Sequence, residues 1–225
     1  MTPYLAYMAR AGIALAVFYL IYELFLRRET YFNLNRIFLV SGLLLSFIIP
    51  AFPIVSPFRT VTLAPLSGAP IAASSVGRAL GPADLLVTLY WMGVAFLLFR
   101  LAVQLAHIAD VIRRNGIRRL RGLKVVPVEA GSPPFSFFDI VFLADGLSRG
   151  DGFRRILAHE EVHVRQQHTL DVLLMEVVLI LQWFNPFVWP YKKALQATHE
   201  YLADSGVIAQ GFSPVGYQLL MFEQK

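Results

Sequence analysis

Three apolar runs set the limits on what this chain can become: Tyr4 to Leu26, Ile37 to Phe58 and Leu85 to about Ala106. Each is long enough, at about 1.5 Å per residue, to cross about 30 Å of hydrocarbon as a helix. No water reaches a bilayer core to satisfy backbone groups, so a crossing segment of this kind is committed to helix. The chain is 56% hydrophobic and only 16% charged, against about a quarter charged in soluble domains. It reads as a mainly α membrane protein with three spans. The first run contains Arg10 and Glu23 and is followed by Arg27-Arg28-Glu29 rather than by a small-residue cleavage pattern. It is therefore read as a retained span and not a signal peptide. The second run carries no charge, and Pro50, Pro53 and Pro57 are expected to kink or end it. Arg100, in the third, is close enough to one end to snorkel.

Residues 59–83 are rich in Ala, Ser, Pro and Gly and read as a surface loop. The chain divides into a membrane domain, 1–106, and a membrane-associated domain, 107–225. Arg27, Arg28 and Arg36 lie between the first two spans, and Arg113, Arg114, Arg118, Arg119, Arg121 and Lys124 follow the third. The intervening loop has only Arg59 and Arg78, so the positive-inside rule puts the N-terminus outside and everything after the third span in the cytoplasm. The net charge of +5 sits beside apolar segments, where it sets orientation; direct nucleic-acid binding is not expected. The absence of cysteine excludes disulfides, thiolate metal sites and a Cys nucleophile.

Beyond the third span, Asn115-Gly116 predicts a helix stop. Two β-type stretches follow, Leu123–Val128 and Phe135–Leu143, separated by Gly131-Ser132-Pro133-Pro134. The second is nearly continuous in bulky apolar residues and can serve either as packing or as a strand beside an extended substrate. Ser148 or Asp151 is expected to cap the next helix.

That helix carries His159-Glu160-Glu161-Val162-His163. Positions four apart share a helical face, so two imidazoles can bind one Zn²⁺, with Glu160 placed to take a proton from the attacking water. A solvated, charged helix face is the bland alternative, and a third ligand decides between them. On one continuous helix His168 is rotated well off the shared face, and Glu176 lies about 20 Å from His163. The longer pattern with a third His fails too, because positions 166 and 169 are Gln and Thr. His199 and Glu200 remain. Glu200 and Asp204 are four apart on one face, and one carboxylate can bind zinc while the other accepts a hydrogen bond from a ligating imidazole. That division favours Glu200 as ligand and Asp204 in support. His199 and Tyr201 point to other faces than Glu200, which weakens either as an oxyanion donor.

The run Ile156 to Asp171, Trp183-Phe184-Asn185-Pro186 and His199-Glu200-Tyr201-Leu202-Ala203-Asp204 resembles the peptidase domain of the BlaR/MecR-type membrane metallopeptidases, the beta-lactam sensor-transducers and their relatives. The resemblance implies three spans before a cytosolic gluzincin-like zinc peptidase domain in a bacterial inner membrane. It implies zinc held by His159, His163 and Glu200, Glu160 as catalytic base, Asp204 in support, and a cytoplasmic protein substrate such as a repressor. Known sensor-transducers continue into a further span and a sensor domain. Here the sequence stops at Lys225 without a penicillin-binding Ser-x-x-Lys motif, so antibiotic sensing is not implied. Either a truncated form or a separate sensor subunit is expected.

Val172 to Trp189 is apolar enough to mimic a fourth span, yet a single crossing there would part Glu200 from His159. Glu176, Gln182 and the Asn185-Pro186 break argue for a fold-back. The pentad's helix is predicted to run on to about Trp183, turn at Phe184-Asn185-Pro186, and return Glu200 to the zinc, in or against the cytoplasmic leaflet. The competing functions are a non-catalytic signalling or scaffold subunit with a structural metal, and a quality-control protease of the HtpX/Ste24 type. The latter usually has two spans between its motifs, and the 36 residues between His163 and Glu200 are fewer than the roughly 40 plus a turn that two spans need.

Overall fold

The structure, a computed structural model, describes residues 3–52, 81–145 and 150–212. Its elements are α1 (Pro3–Ile21), α2 (Phe32–Ile48), α3 (Pro82–Asn115), β1 (Arg118–Leu120), β2 (Leu123–Val128), β3 (Phe135–Phe137), β4 (Ile140–Ala144), α4 (Asp151–Arg165), α5 (His168–Leu181) and α6 (Val188–Ala209). Among the described residues three helices are long and apolar enough to cross a membrane: Tyr4–Leu26, Phe32–Ala51 and Asp84–Asn115. They fit a membrane protein. The first keeps the sequence-derived bounds, its last turn being a π-helix, Tyr22–Leu26, closed by the Arg27 N–H on the Tyr22 carbonyl.

The second begins five residues earlier than its charge-free run, at Phe32, because its polar residues have partners. The buried Asn35 donates to the carbonyls of Leu26 and Glu29 and closes the turn from α1. Arg36 faces the rest of the protein. The helix tightens to a 3-10 turn at Ile49–Ala51, on Pro50, and Phe52 is extended. Pro53, Pro57, most of the 59–83 loop and Ser148 lie outside the described residues. The third helix passes Ala106 and stops at Asn115, where Gly116 takes φ 68° and donates to the Ile112 carbonyl, the predicted stop.

The sheet has the order β1-β2-β4-β3, with β2 and β4 parallel and both outer pairs antiparallel. The sheet includes one strand not anticipated from the sequence and corrects another. Arg118–Leu120 forms strand β1, turned onto β2 through Arg121 and Gly122, both at positive φ. The stretch Phe135–Leu143 is not one strand: a turn at Phe138-Asp139 makes it the β3–β4 hairpin. Phe138 adopts φ 51° and donates its N–H to Thr169 Oγ1 at 2.9 Å, tying that turn to α5. Val125, Val141 and Leu143 pack against Leu157 of α4.

α4 begins at Asp151 behind an extended Gly150, with no side-chain cap. It does not run on to Trp183: it ends at Arg165, Gln167 turns left-handed at φ 53°, and α5 starts anew at His168. The fold-back itself is present. The chain reverses between Gln182 and Phe187, and α6 leads Glu200 back to α4.

The α5–α6 hairpin packs among the long helices, with Leu15, Leu39, Leu43, Met175, Val178, Tyr191 and Leu195 in one core. Its tip is tied by amides: Gln182 donates to the Met8 carbonyl (2.9 Å) and Asn185 to that of Gly12 (3.1 Å). Trp183 donates to the Tyr90 carbonyl of α3 at 3.3 Å. Eighteen residues separate Met8 from Leu26, about 27 Å along the helix. The hairpin thus runs along the first long helix from Met8 toward Leu26. Close approach at these crossings depends on small residues; a Cβ at Gly93 would stand 2.4 Å from Trp183 Cε2.

Candidate metal centre

Three side chains from two helices converge. His159 and His163, one turn apart on α4, present Nε2 atoms 3.2 Å from each other. Glu200 of α6 brings Oε2 to 3.4 Å from His159 Nε2 and Oε1 to 3.9 Å from His163 Nε2. One potential ligand atom from each of the three lies within 4.8 Å of the others. Ligands about 2.0–2.1 Å from a tetrahedral zinc stand roughly 3.3 Å apart, so the spacing suits that ion. Three protein ligands leave a position open. Two nitrogens and a carboxylate, with no sulfur, suit zinc by donor chemistry as well.

The surroundings favour positive charge at this point. Burial opposes charge on His159, but the carboxylates of Asp204, Glu200 and Glu160 outweigh it and hold the imidazole up at about 9. The hydrogen bond from His159 lowers Glu200 below the ordinary carboxylate range despite desolvation. His163 is pushed down, by burial first and by the charge of His159 second. Asp204, one turn beyond Glu200, has Oδ1 3.2 Å from His159 Nδ1, the ring nitrogen turned away from the cluster.

Glu160 is 5% exposed and points into the same cavity. Burial raises it above the usual carboxylate range, while the charge of His159 and the Ser136 hydroxyl, donating to it, act the other way. Ser136 is the middle residue of β3, an edge strand. The cavity measures about 550 Å³; its floor carries His159, Glu160, His163 and Glu200, and its walls include Pro134, Phe135, Ile156, Val172 and Leu173. Arg155, one turn before His159, also lines it, and its buried Nε has no hydrogen-bond partner among the described residues.

The residues set aside as ligands have other work. Glu176 is ion-paired with Lys192 of α6. His168 meets the pentad after all: the break at Gln167 swings it so that its Nδ1 lies 2.7 Å from His163 Nδ1. Burial and neighbouring imidazoles push its pKa far down. His199 Nε2 contacts Asp171 Oδ2 at 2.9 Å, and the same carboxylate oxygen takes the Arg36 Nε donor at 2.6 Å. Tyr201 is exposed and stacks near Phe32. Sequence reading missed Ser136, Arg155, Asp171, Gln166 and Arg36. Arg36 was counted only as an orienting charge, although an arginine at the edge of an apolar run with an acidic residue elsewhere in the chain was a usable signal.

The cavity holds a His–His–carboxylate cluster that could bind a metal ion, beside the buried carboxylate of Glu160. The family model described as BlaR1 peptidase M56 matches residues 149–213, a segment containing the pentad, Glu200 and Asp204. That segment is consistent with the BlaR/MecR-type peptidase family, a family of membrane metallopeptidases. No curated protein matches the chain.

Proposed function

We propose that this chain is a membrane-bound zinc endopeptidase that cleaves a cytoplasmic protein in regulated proteolysis. The observation that carries the reading is the tetrahedral spacing of His159, His163 and Glu200 with Glu160 buried beside them. His159, His163 and Glu200 would hold the ion, which supplies Lewis acidity toward a water and a scissile carbonyl when bound. Glu160, lifted by burial, takes the proton of the attacking water and returns it to the leaving amine. Asp204 accepts the Nδ1–H of His159 and fixes its tautomer. The edge of β3, without a strand partner among the described residues, suits an extended substrate by strand addition, and the Ser136 hydroxyl ties that strand to Glu160. Among the described residues the cluster offers three ligands, which argues against a purely structural metal, normally closed by four protein ligands.

By the arginine distribution the N-terminus lies outside and the metal centre faces the cytoplasm of a bacterial inner membrane. The chain has no cysteine, so Ile208→Cys is a clean probe; labelling of it only from the outer face would reverse this orientation. A repressor is the substrate suggested by the family. The test of function is cleavage of cytoplasmic extract proteins by zinc-loaded wild type and by Glu160→Gln. We expect equal zinc in both and about 10²–10⁴-fold slower cleavage by the variant, the range for losing a general base. Stoichiometric zinc with no cleavage by either would favour a scaffold subunit.

A further inference from the structure

The two nitrogens of the His163 ring have different partners, and together they fix where its proton is. Nε2 faces the cluster, and Nδ1 lies 2.7 Å from His168 Nδ1. Two ring nitrogens at that distance require one N–H and one lone pair. A lone pair on His163 Nε2 for a cation leaves the proton on Nδ1, so His163 donates and His168 accepts. Neutral His168 then carries its own proton on Nε2, 3.1 Å from Gln166 Oε1. Arg36 identifies that atom as oxygen: its Nη1, a donor only, is 3.4 Å away. The reverse tautomers would point an N–H of His163 at His159 and a lone pair of His168 at the Gln166 oxygen.

Arg36 does more than orient the amide. Its Nη2 donates to the Gln166 carbonyl at 2.7 Å, a group freed where α4 ends, and its Nε donates to Asp171 Oδ2 at 2.6 Å. Asp171 holds His199, which directly precedes Glu200 and stacks on His168 with ring centroids 4.2 Å apart. One guanidinium therefore reaches both ligand-bearing segments, His163 through Gln166 and His168, and Glu200 through Asp171 and His199.

We propose that His168 and Arg36 are positioning residues of the metal centre: His168 accepts the Nδ1–H of His163 and so presents Nε2 to the ion, and Arg36 anchors the arrangement from the second long apolar helix. This rests on the metal-site reading above. Metal affinity thereby depends on how α2 is seated against the α4–α5 junction.

The test uses the full chain in detergent, with zinc affinity measured by chelator competition and ligand geometry by the visible spectrum of the Co²⁺ form. His168→Phe keeps a ring against His199 but removes the acceptor; zinc binding should weaken about 10–100-fold, the usual effect of losing an outer partner of a ligating His, and the Co²⁺ bands should shift. His168→Asn offers Oδ1 near the Nδ1 position and should recover most of that loss. Arg36→Lys keeps the charge without the fork and should weaken zinc about tenfold. Arg27→Met, in an exposed pair with Glu23, should change nothing. A wild type that binds no zinc removes the metal-site reading itself. A wild type that binds zinc while His168→Phe binds as tightly, or while Asn is no better than Phe, overturns the role of His168. Unchanged affinity in Arg36→Lys overturns the anchor. Should that variant fail to fold, Gln166→Leu, which cuts only the amide between Arg36 and His168, decides the same point by the same criterion.

Discussion

His159 and His163 occupy the same helix face, yet their outer nitrogens are held in opposite ways. His159 leans on a carboxylate, Asp204, supplied by α6, the helix that also carries Glu200. His163 leans on a second imidazole, and through Gln166 on an arginine 130 positions earlier in the chain. The first arrangement is local to one helix crossing and charge-assisted. The second is relayed, weaker per contact, and runs into the apolar bundle. If the cluster holds an ion as proposed, affinity and placement are expected to have different sources, the α4–α6 crossing contributing most of the binding and the long helix the seating.

Substitutions on the two sides should separate them. Among residues outside the ligand set, the largest effect is expected for Asp204→Ala, which removes the carboxylate from His159 Nδ1; zinc affinity should fall toward the hundredfold end of the usual range, more than in His168→Phe, as read by chelator competition. A smaller drop in Asp204→Ala than in His168→Phe would reverse the ranking of the two sides. Next comes Gly206→Val, which touches no ligand. A Cβ there would meet Val162 Cγ2 at 2.6 Å, so either the buried Val162 side chain or α6 must shift, and the branched valine has little rotamer freedom in a helix. Overpacking of this kind costs about 1–3 kcal/mol, and Glu200 should be displaced, weakening zinc by roughly tenfold, an estimate within the span for disturbed metal surroundings. Equal zinc affinity in wild type and Gly206→Val would mean that the crossing does not set the site.

The smallest effect concerns acid. Desolvation pushes Asp171 up, but the hydrogen bonds from His199 and Arg36 outweigh it and hold its folded pKa below the ordinary value, about 3.9 in an unfolded chain. A depressed folded pKa contributes stability that is present above the unfolded value and lost as pH falls through the folded one. Wild type should therefore exceed Asp171→Asn in thermal stability at neutral pH, with the gap narrowing below about pH 4. A gap that stays constant from pH 7 to pH 3, with chelator present, would detach Asp171 from this role.

The carboxylate side was legible in the sequence because it rests on i,i+4 spacing within single helices: His159 with His163, and Glu200 with Asp204. The fold-back was legible from polar residues in an apolar run, and Gln182 and Asn185 indeed anchor the tip. The relayed side was not. The helix break falls on Gln166-Gln167, with no Gly or Pro to mark it, so His168 was rotated away on a helix that does not continue. Strand β1 hid under Arg118-Arg119, and the β3–β4 turn under Phe138-Asp139, again without glycine. At the helix break and at the β3–β4 turn a contact far along the chain overrides local preference: the Gln166 carbonyl binds Arg36, and the Phe138 N–H binds Thr169.

The central claim is that His159, His163 and Glu200 hold one ion together. Zinc content after equilibration and desalting tests it directly in wild type, Glu160→Gln, His159→Ala, His163→Ala and Glu200→Ala. The account predicts one zinc per chain in the first two and well under one in each of the last three. Equal zinc in all five proteins, or none in wild type, would contradict it.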